Sequence, residues 1–252
     1  MPRPNQLKID PTVDVGIVCA LELEMVPLVR RLSRRLKTIA SGFTVERGVI
    51  SGRRVAVVRS DAGRNRLVAA ADSLLSVHRP KWLIAAGFAV GIGDGMKRGD
   101  LIVASELIGD SDERKKTAVE LMVANKLFQD VKTDGVISIA KVPRSAREKR
   151  ALFVKTGAVA ADQHAWSLAK LSAEAGVRFL ATLVLVDDAS GDAEPESRAV
   201  FHPSASYRAG GVVGAFMSGS GRVGKIWKIR AAAKRHAERL AEFLVRLVPT
   251  LP

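Results

Sequence analysis

Cysteine occurs once in 252 residues, at Cys19, which excludes an intramolecular disulfide framework. It lies inside the apolar run VGIVCA and reads as core packing; a nucleophile would want a His partner and some exposure. Aromatic residues make up only 5% of the chain, too few for a base-stacking platform, so nucleic acid is disfavoured as a partner. No apolar run approaches the about 18 residues that cross a bilayer. The start, MPRPNQLKIDPT, lacks the apolar segment of a secretory signal, and the expected location is the cytoplasm. Acid is also in short supply. There are 26 Asp and Glu against 40 Lys and Arg, a net charge of +14, which favours contact with anionic surfaces. The basic residues are nevertheless spread out, as Arg30-Arg31, Arg34-Arg35, Arg53-Arg54, Lys115-Lys116, Arg147 to Arg150 and Arg222 to Arg246. That distribution suits solvated helix faces better than one binding patch.

What is present is a globular composition, 47% hydrophobic, with strand-like runs alternating with helix-like segments. Residues 13–20 read as a strand and 22–36 as a helix with Met25, Leu28, Val29 and Leu32 on one face. Residues 43–50 and 54–59 form a hairpin pattern around Ser51-Gly52. A helix at 65–77 leads to a buried strand at 82–86, and a glycine-rich turn, GFAVGIGDG, follows. Further strands are expected at 101–104, 135–139, 158–161 and 179–186. Helices are expected near 118–128, at 146–156 ended by Gly157, at 165–175 ended by Gly176, and at 223–247. Residues 190–220, rich in Gly, Ser, Pro and Asp, read as a long active-site loop or an atypical segment. No linker or internal repeat divides the chain. The pattern predicts one layered α/β domain, with residues 1–12 flexible.

Two of the strand-like runs end in carboxylates. VGIVCA runs into Leu21-Glu22-Leu23-Glu24, and FLATLVLV stops at Asp187-Asp188. Groups just beyond the carboxyl ends of parallel strands converge on one crevice. One acid from each could there face a single substrate, one activating water and the other protonating a leaving group. Taken singly, Glu22 and Glu24 also suit a helix start, and Asp187 and Asp188 a turn. The glycine block lacks G-x-G-x-x-G spacing and G-K-[ST], so neither a dinucleotide nor a P-loop phosphate site is expected. His78, His164, His202 and His236 are scattered without metal-ligand spacing, so no metal and no cofactor are expected.

The order VGIVCALELEM, SDAGRNRLVAAA, RPKWLIAAGFAVGIGDGMKRGDLIVA, TGAVAADQHAWSLA, FLATLVLVDDAS resembles the nucleoside phosphorylase/nucleosidase superfamily over roughly residues 13–190. Within it, the chain is most similar to 5′-methylthioadenosine/S-adenosylhomocysteine nucleosidases and the nucleosidase-like proteins associated with hopanoid synthesis. The resemblance implies a three-layer α/β/α fold with a mixed central sheet. It also implies that Asp187 protonates a purine, adenine in the first instance, and that Glu24 positions the attacking water. Gly87, Phe88, Ala89, Asp162, Gln163 and His164 would line the substrate site. N-glycosidic cleavage needs such a pair, because an oxocarbenium-like sugar and an anionic base develop together. Phosphorolytic relatives hold phosphate near the first strand, where Glu24 would repel it, so hydrolysis is favoured.

Two departures stand out. The family's M-E pair, whose Glu holds ribose hydroxyls, is replaced by Gln163-His164, and its usual glycine is replaced by Val90. Losing a charged hydrogen bond to the sugar costs about 1.5–3 kcal/mol. A nucleoside-binding relative with weakened or no turnover is therefore the alternative to an enzyme. The admitted partners are a nucleoside or adenine, a second copy of the chain, and an anionic membrane through the cluster Arg222, Lys225, Lys228, Arg230, Lys234, Arg235 and Arg239.

Overall fold

The computed structural model describes residues 11–60, 63–119, 130–201 and 223–252. The helix expected near 118–128 lies largely outside these residues, as does most of the 190–220 segment.

Strand β1 (Val15–Cys19) is buried along its whole length and pairs in parallel with β4 (Arg53–Arg59) and β5 (Trp82–Gly91). β5 also runs parallel to β10 (Arg178–Asp187). Buried on both faces, these strands read as near-continuous Val, Ile, Leu and Ala, as parallel strands between helix layers do. β10 turns back antiparallel to β6 (Leu101–Ile108), which carries β7 (Arg114–Lys116) on its other end. β6 pairs with β8 (Val131–Ser138), β8 with β9 (Ala160–Asp162), and β9 returns antiparallel to β5. Five strands therefore close a circuit through β5, while β1, β4, β3 (Phe43–Ile50) and β2 (Ser33–Ala40) extend it as an open wing. The sheet is mixed, as expected.

Helices cover both faces. α1 (Glu22–Val29) and α6 (Val223–Leu247) pack on one side, where Leu28, Phe243, Leu244 and Leu247 meet Ile17, Ile84 and Val184. α2 (Arg64–His78) and α4 (Ala165–Glu174) cover the other, where Leu67, Leu74 and Leu168 meet Val18, Leu83 and Leu185. The short α5 (Pro195–Val200) packs against α6 and β10, and α3 (Ala146–Thr156) meets the end of β10 through Lys149. Leu240, Phe243, Leu244 and Leu247 of α6 are each at most 1% exposed. That side of the helix is spent on the core, and Arg230, Lys234, Arg235 and Arg239 are exposed; Arg222 and the side chains of Lys225 and Lys228 lie outside the described residues.

Two sequence expectations are corrected. The helix read at 22–36 stops at Val29, and residues 33–40 form β2 instead. A proline inside α1 weakens its continuation. β3 offers a free edge that β2 fills from Leu36↔Arg47 to Ala40↔Phe43, locked by Arg35 bonding both oxygens of buried Glu46 at 2.9 and 3.1 Å. Tertiary pairing overrides an amphipathic helix pattern here. The strand read at 82–86 likewise runs on to Gly91, so GFAVG is strand, not turn. The hairpin turn is as read: Ser51 and Gly52 both take positive φ, 46° and 87°, as a two-residue hairpin requires.

Candidate functional site

Along β5, the pairing with β1 ends at Ala85 and the pairing with β9 begins at Val90. Among the described residues, no strand occupies that edge of β5 between them, and a cavity of about 310 Å³ opens in the gap. This is the lower end of the size range of small-molecule sites, about 300–1,000 Å³. Like those sites it lies beyond the carboxyl ends of parallel strands, where their connections diverge. Its walls are mostly apolar, with Leu67, Phe88, Leu168 and Leu183 prominent. Glu24, Ser60, Arg64, Asp162, Gln163 and His164 supply the polar groups.

Glu24 sits in the first turn of α1, immediately after β1. Its side chain folds back so that Oε2 accepts from the Leu21 N–H at 2.8 Å, while Oε1 accepts from the Phe88 N–H at 3.1 Å. The second bond exists because the β5 edge is unpaired there: an amide that would have joined a sheet ladder points at a carboxylate instead. Gly87 makes the approach possible, since a Cβ on it would stand 3.0 Å from Oε1. Glu24 is only 4% exposed. Burial pushes its pKa up from 4.5 to about 7, against the opposing pull of its backbone hydrogen bonds and with a further push from Asp162. A carboxyl poised near neutrality can both take and return a proton.

Asp162, at the end of β9, accepts from the His164 and Ala165 N–H groups at 2.9 and 2.7 Å and from the Ser138 hydroxyl. It thereby caps α4 and turns the 162–164 segment toward the cavity. The Gln163 amide donates to Ala140 O at 2.9 Å. His164 has a pKa lowered chiefly by burial, with the Arg64 charge adding to this and Asp162 opposing it. Gly87 and Phe88 line the cavity; Ala89 is fully buried and does not.

Of Glu24 and Asp187, expected to share one cavity, only Glu24 lines it. Asp187 is 1% exposed and off the cavity wall. Its Oδ2 is 2.9 Å from Lys149 Nζ, and its Oδ1 accepts from the Glu194 N–H at 3.2 Å. Lys149 belongs to the basic run 147–150 that reads as solvated, yet it is 0% exposed. Its ammonium also donates to Asp188 O at 2.5 Å and Gly191 O at 2.7 Å, tying down the chain that leaves β10. Asp188 itself accepts from the Arg98 N–H at 2.5 Å. Sequence reasoning missed Lys149, Ser60 and Arg64. For Arg64 a signal existed, since it lies inside one of the quoted motifs; for Lys149 there was none. Cys19 is core, at 1% exposure. Among the described residues, no three His, Cys, Asp or Glu side chains gather as a metal site requires.

Residues 14–218 match the family model described as the phosphorylase superfamily. The chain belongs to that superfamily. Among curated proteins, it is similar to a 5′-methylthioadenosine/S-adenosylhomocysteine nucleosidase of Shewanella pealeana, 30% identical over 93 residues. That match spans 37% of this chain and 40% of the relative. A Haemophilus influenzae nucleosidase of the same description is 29% identical over 92 residues, spanning 36% of this chain and 40% of the relative. The chain thus aligns with well under half the length of these relatives. Solved structures extend the likeness in fold. A mutant Helicobacter pylori methylthioadenosine nucleosidase with 5′-methylthioadenosine in its active site superposes with a TM-score of 0.71 at 17% identity. It covers 94% of this chain and 98% of its own. Futalosine hydrolase from the same organism gives the same TM-score, identity and coverage. At such identities these structures fix the fold alone. They bear out the nucleoside-phosphorylase-like, three-layer architecture.

Proposed function

We propose that the chain is a nucleosidase that hydrolyses the N-glycosidic bond of a purine nucleoside, an adenosine derivative in the first instance. The observation that carries this reading is Glu24: buried on the wall of the cavity, oriented by two backbone N–H groups, with a pKa of about 7. In this reading Glu24 draws a proton from water as the water oxygen attacks the sugar's anomeric carbon and the bond to the base breaks. The apolar walls shelter the oxocarbenium-like sugar, and Phe88 offers the base a ring face. Asp187 is assigned as the acid: its carboxyl, protonated beforehand, passes its proton to the base as the glycosidic bond breaks, and the proton that Glu24 takes from water restores the balance. That role requires the base, on entering, to compete with the Glu194 N–H for Oδ1, while Lys149 keeps Oδ2. The step as written uses no metal and no dinucleotide. Stoichiometric zinc in chelator-washed protein would contradict it.

The curated relatives whose printed description is 5′-methylthioadenosine/S-adenosylhomocysteine nucleosidase support this class of reaction. A second reading, a nucleoside-binding protein without turnover, is favoured by one observation: Lys149 holds Asp187 off the cavity wall. Chromatography of free base released from a panel of purine nucleosides separates the two. An enzyme releases base at a rate that rises as pH passes through about 7, when Glu24 ionises. Glu24→Gln should lower that rate by about 10²–10⁴-fold. Nucleoside binding without base release at any pH selects the second reading, and absence of both refutes the pair.

A further inference from the structure

Among the described residues, two buried nitrogen atoms in the cavity region have no hydrogen-bond partner: Arg64 Nη2 and His164 Nδ1. Both residues line the cavity, and each is otherwise held in place. Arg64 donates through Nε to Gln163 O at 3.3 Å and through Nη1 to Asp110 Oδ2 at 3.2 Å, so its guanidinium is fixed at two of three nitrogens. His164 opens α4 and is positioned by its own backbone N–H on Asp162. Buried polar atoms without partners are rare, because each forfeits the hydrogen bond it had in water. Arg64 is also the wrong charge for its place. It stands at the start of α2, where the helix dipole disfavours a cation; among the described residues neither an acid in the first turn nor a capping side chain compensates, and its ion-pair partner Asp110 is exposed. The cavity's two carboxylates among the described residues do not answer this need. Glu24 is taken up by the Leu21 and Phe88 N–H groups, and Asp162 by the α4 cap and Ser138.

We infer that the cavity takes a nucleoside carrying an oxyanion, a carboxylate or a phosphate, which seats on Arg64 Nη2 beside His164. This rests on the nucleoside reading above and narrows it to a substrate class. An oxygen at that place would satisfy both orphaned nitrogens, with His164 donating from Nδ1, and would add to exposed Asp110 in offsetting the charge at the head of α2. Planar guanidinium groups suit carboxylate and phosphate alike. The two sources differ in shape and charge, and binding distinguishes them.

The experiment is calorimetric binding of adenosine, adenosine-5′-carboxylate, adenosine 5′-monophosphate and inorganic phosphate to the full chain and to Arg64→Met. The expected result is that one of the two charged nucleosides binds about ten- to a hundredfold more tightly than adenosine, as a charge-assisted hydrogen bond supplies. Which one does so names the oxyanion. Arg64→Met should bring that ratio to within about threefold of unity. Equal binding of all three nucleosides to the wild-type protein overturns the inference without any variant, even if Arg64→Met fails to fold. An unchanged ratio in a folded Arg64→Met overturns it as well. So does inorganic phosphate that binds together with adenosine and makes it a substrate for phosphorolysis, since the anion is then a co-substrate. Because binding is read apart from base release, tight charged-nucleoside binding with no free base would sustain this inference while refuting hydrolysis.

Discussion

Replacing Glu24 by Gln tests the electrostatics of the cavity through stability alone, without any substrate. Folded, Glu24 holds its proton more tightly than it does unfolded. Its contribution to stability is therefore complete below about pH 4.5 and is lost as pH rises through about 7. A rise from 4.5 to about 7, at about 1.36 kcal/mol per pH unit, amounts to about 3 kcal/mol. Most of it, about 2–3 kcal/mol, falls between pH 5 and pH 8.5. Gln cannot ionise, so the variant avoids that loss. It has a cost of its own: one of the two N–H groups, of Leu21 or Phe88, now faces an amide NH₂ rather than an oxygen, at about 1–3 kcal/mol. That offset is the same at every pH. Urea unfolding of both proteins at pH 5 and pH 8.5 should show the variant gaining about 2–3 kcal/mol on the wild type between the two. Other titrating groups are common to both proteins and largely cancel. Parallel stability curves would mean that Glu24 ionises like an exposed carboxyl, and the proposed role for it would fall with that result.

Further outcomes follow from single contacts. Gly87→Ala places a methyl 3.0 Å from Glu24 Oε1; it should displace the carboxylate and cost catalysis at least tenfold while lowering stability by only about 1–3 kcal/mol, and a variant with wild-type turnover contradicts the packing. Lys149→Met leaves the Asp187 carboxylate buried and unpaired, at about 3–5 kcal/mol in denaturant unfolding. Asp187→Asn should cost less, because Lys149 keeps the Asp188 and Gly191 carbonyls, and the double variant should cost less than the sum of the two. Ser145→Ala removes the side chain that caps α3 at the Glu148 N–H and should lower stability by about 1 kcal/mol, read as a fall in the urea midpoint.

The fold was legible because its signals are local and mutually consistent. Buried apolar runs alternate with amphipathic helices, Ser51-Gly52 supplies a turn that accepts positive φ, and Gly157 ends α3 at φ 71°. Glu24 was legible for a related reason: an acid just past a buried strand must lie at the sheet's carboxyl edge. What the chain could not announce depends on distances between segments far apart in sequence. β2 reads as helix until β3's free edge is present to pair with it. Lys149 reads as one more solvated cation in a basic run. Only the return of β10 beside α3 brings Asp187 within 2.9 Å of it and buries both. The same geometry moved Asp187 off the cavity and left Arg64 facing it, although the sequence favours the acid and passes over the base. Periodicity and turn chemistry specify elements; burial, and with it the charge state and availability of each polar group, exists only once those elements meet.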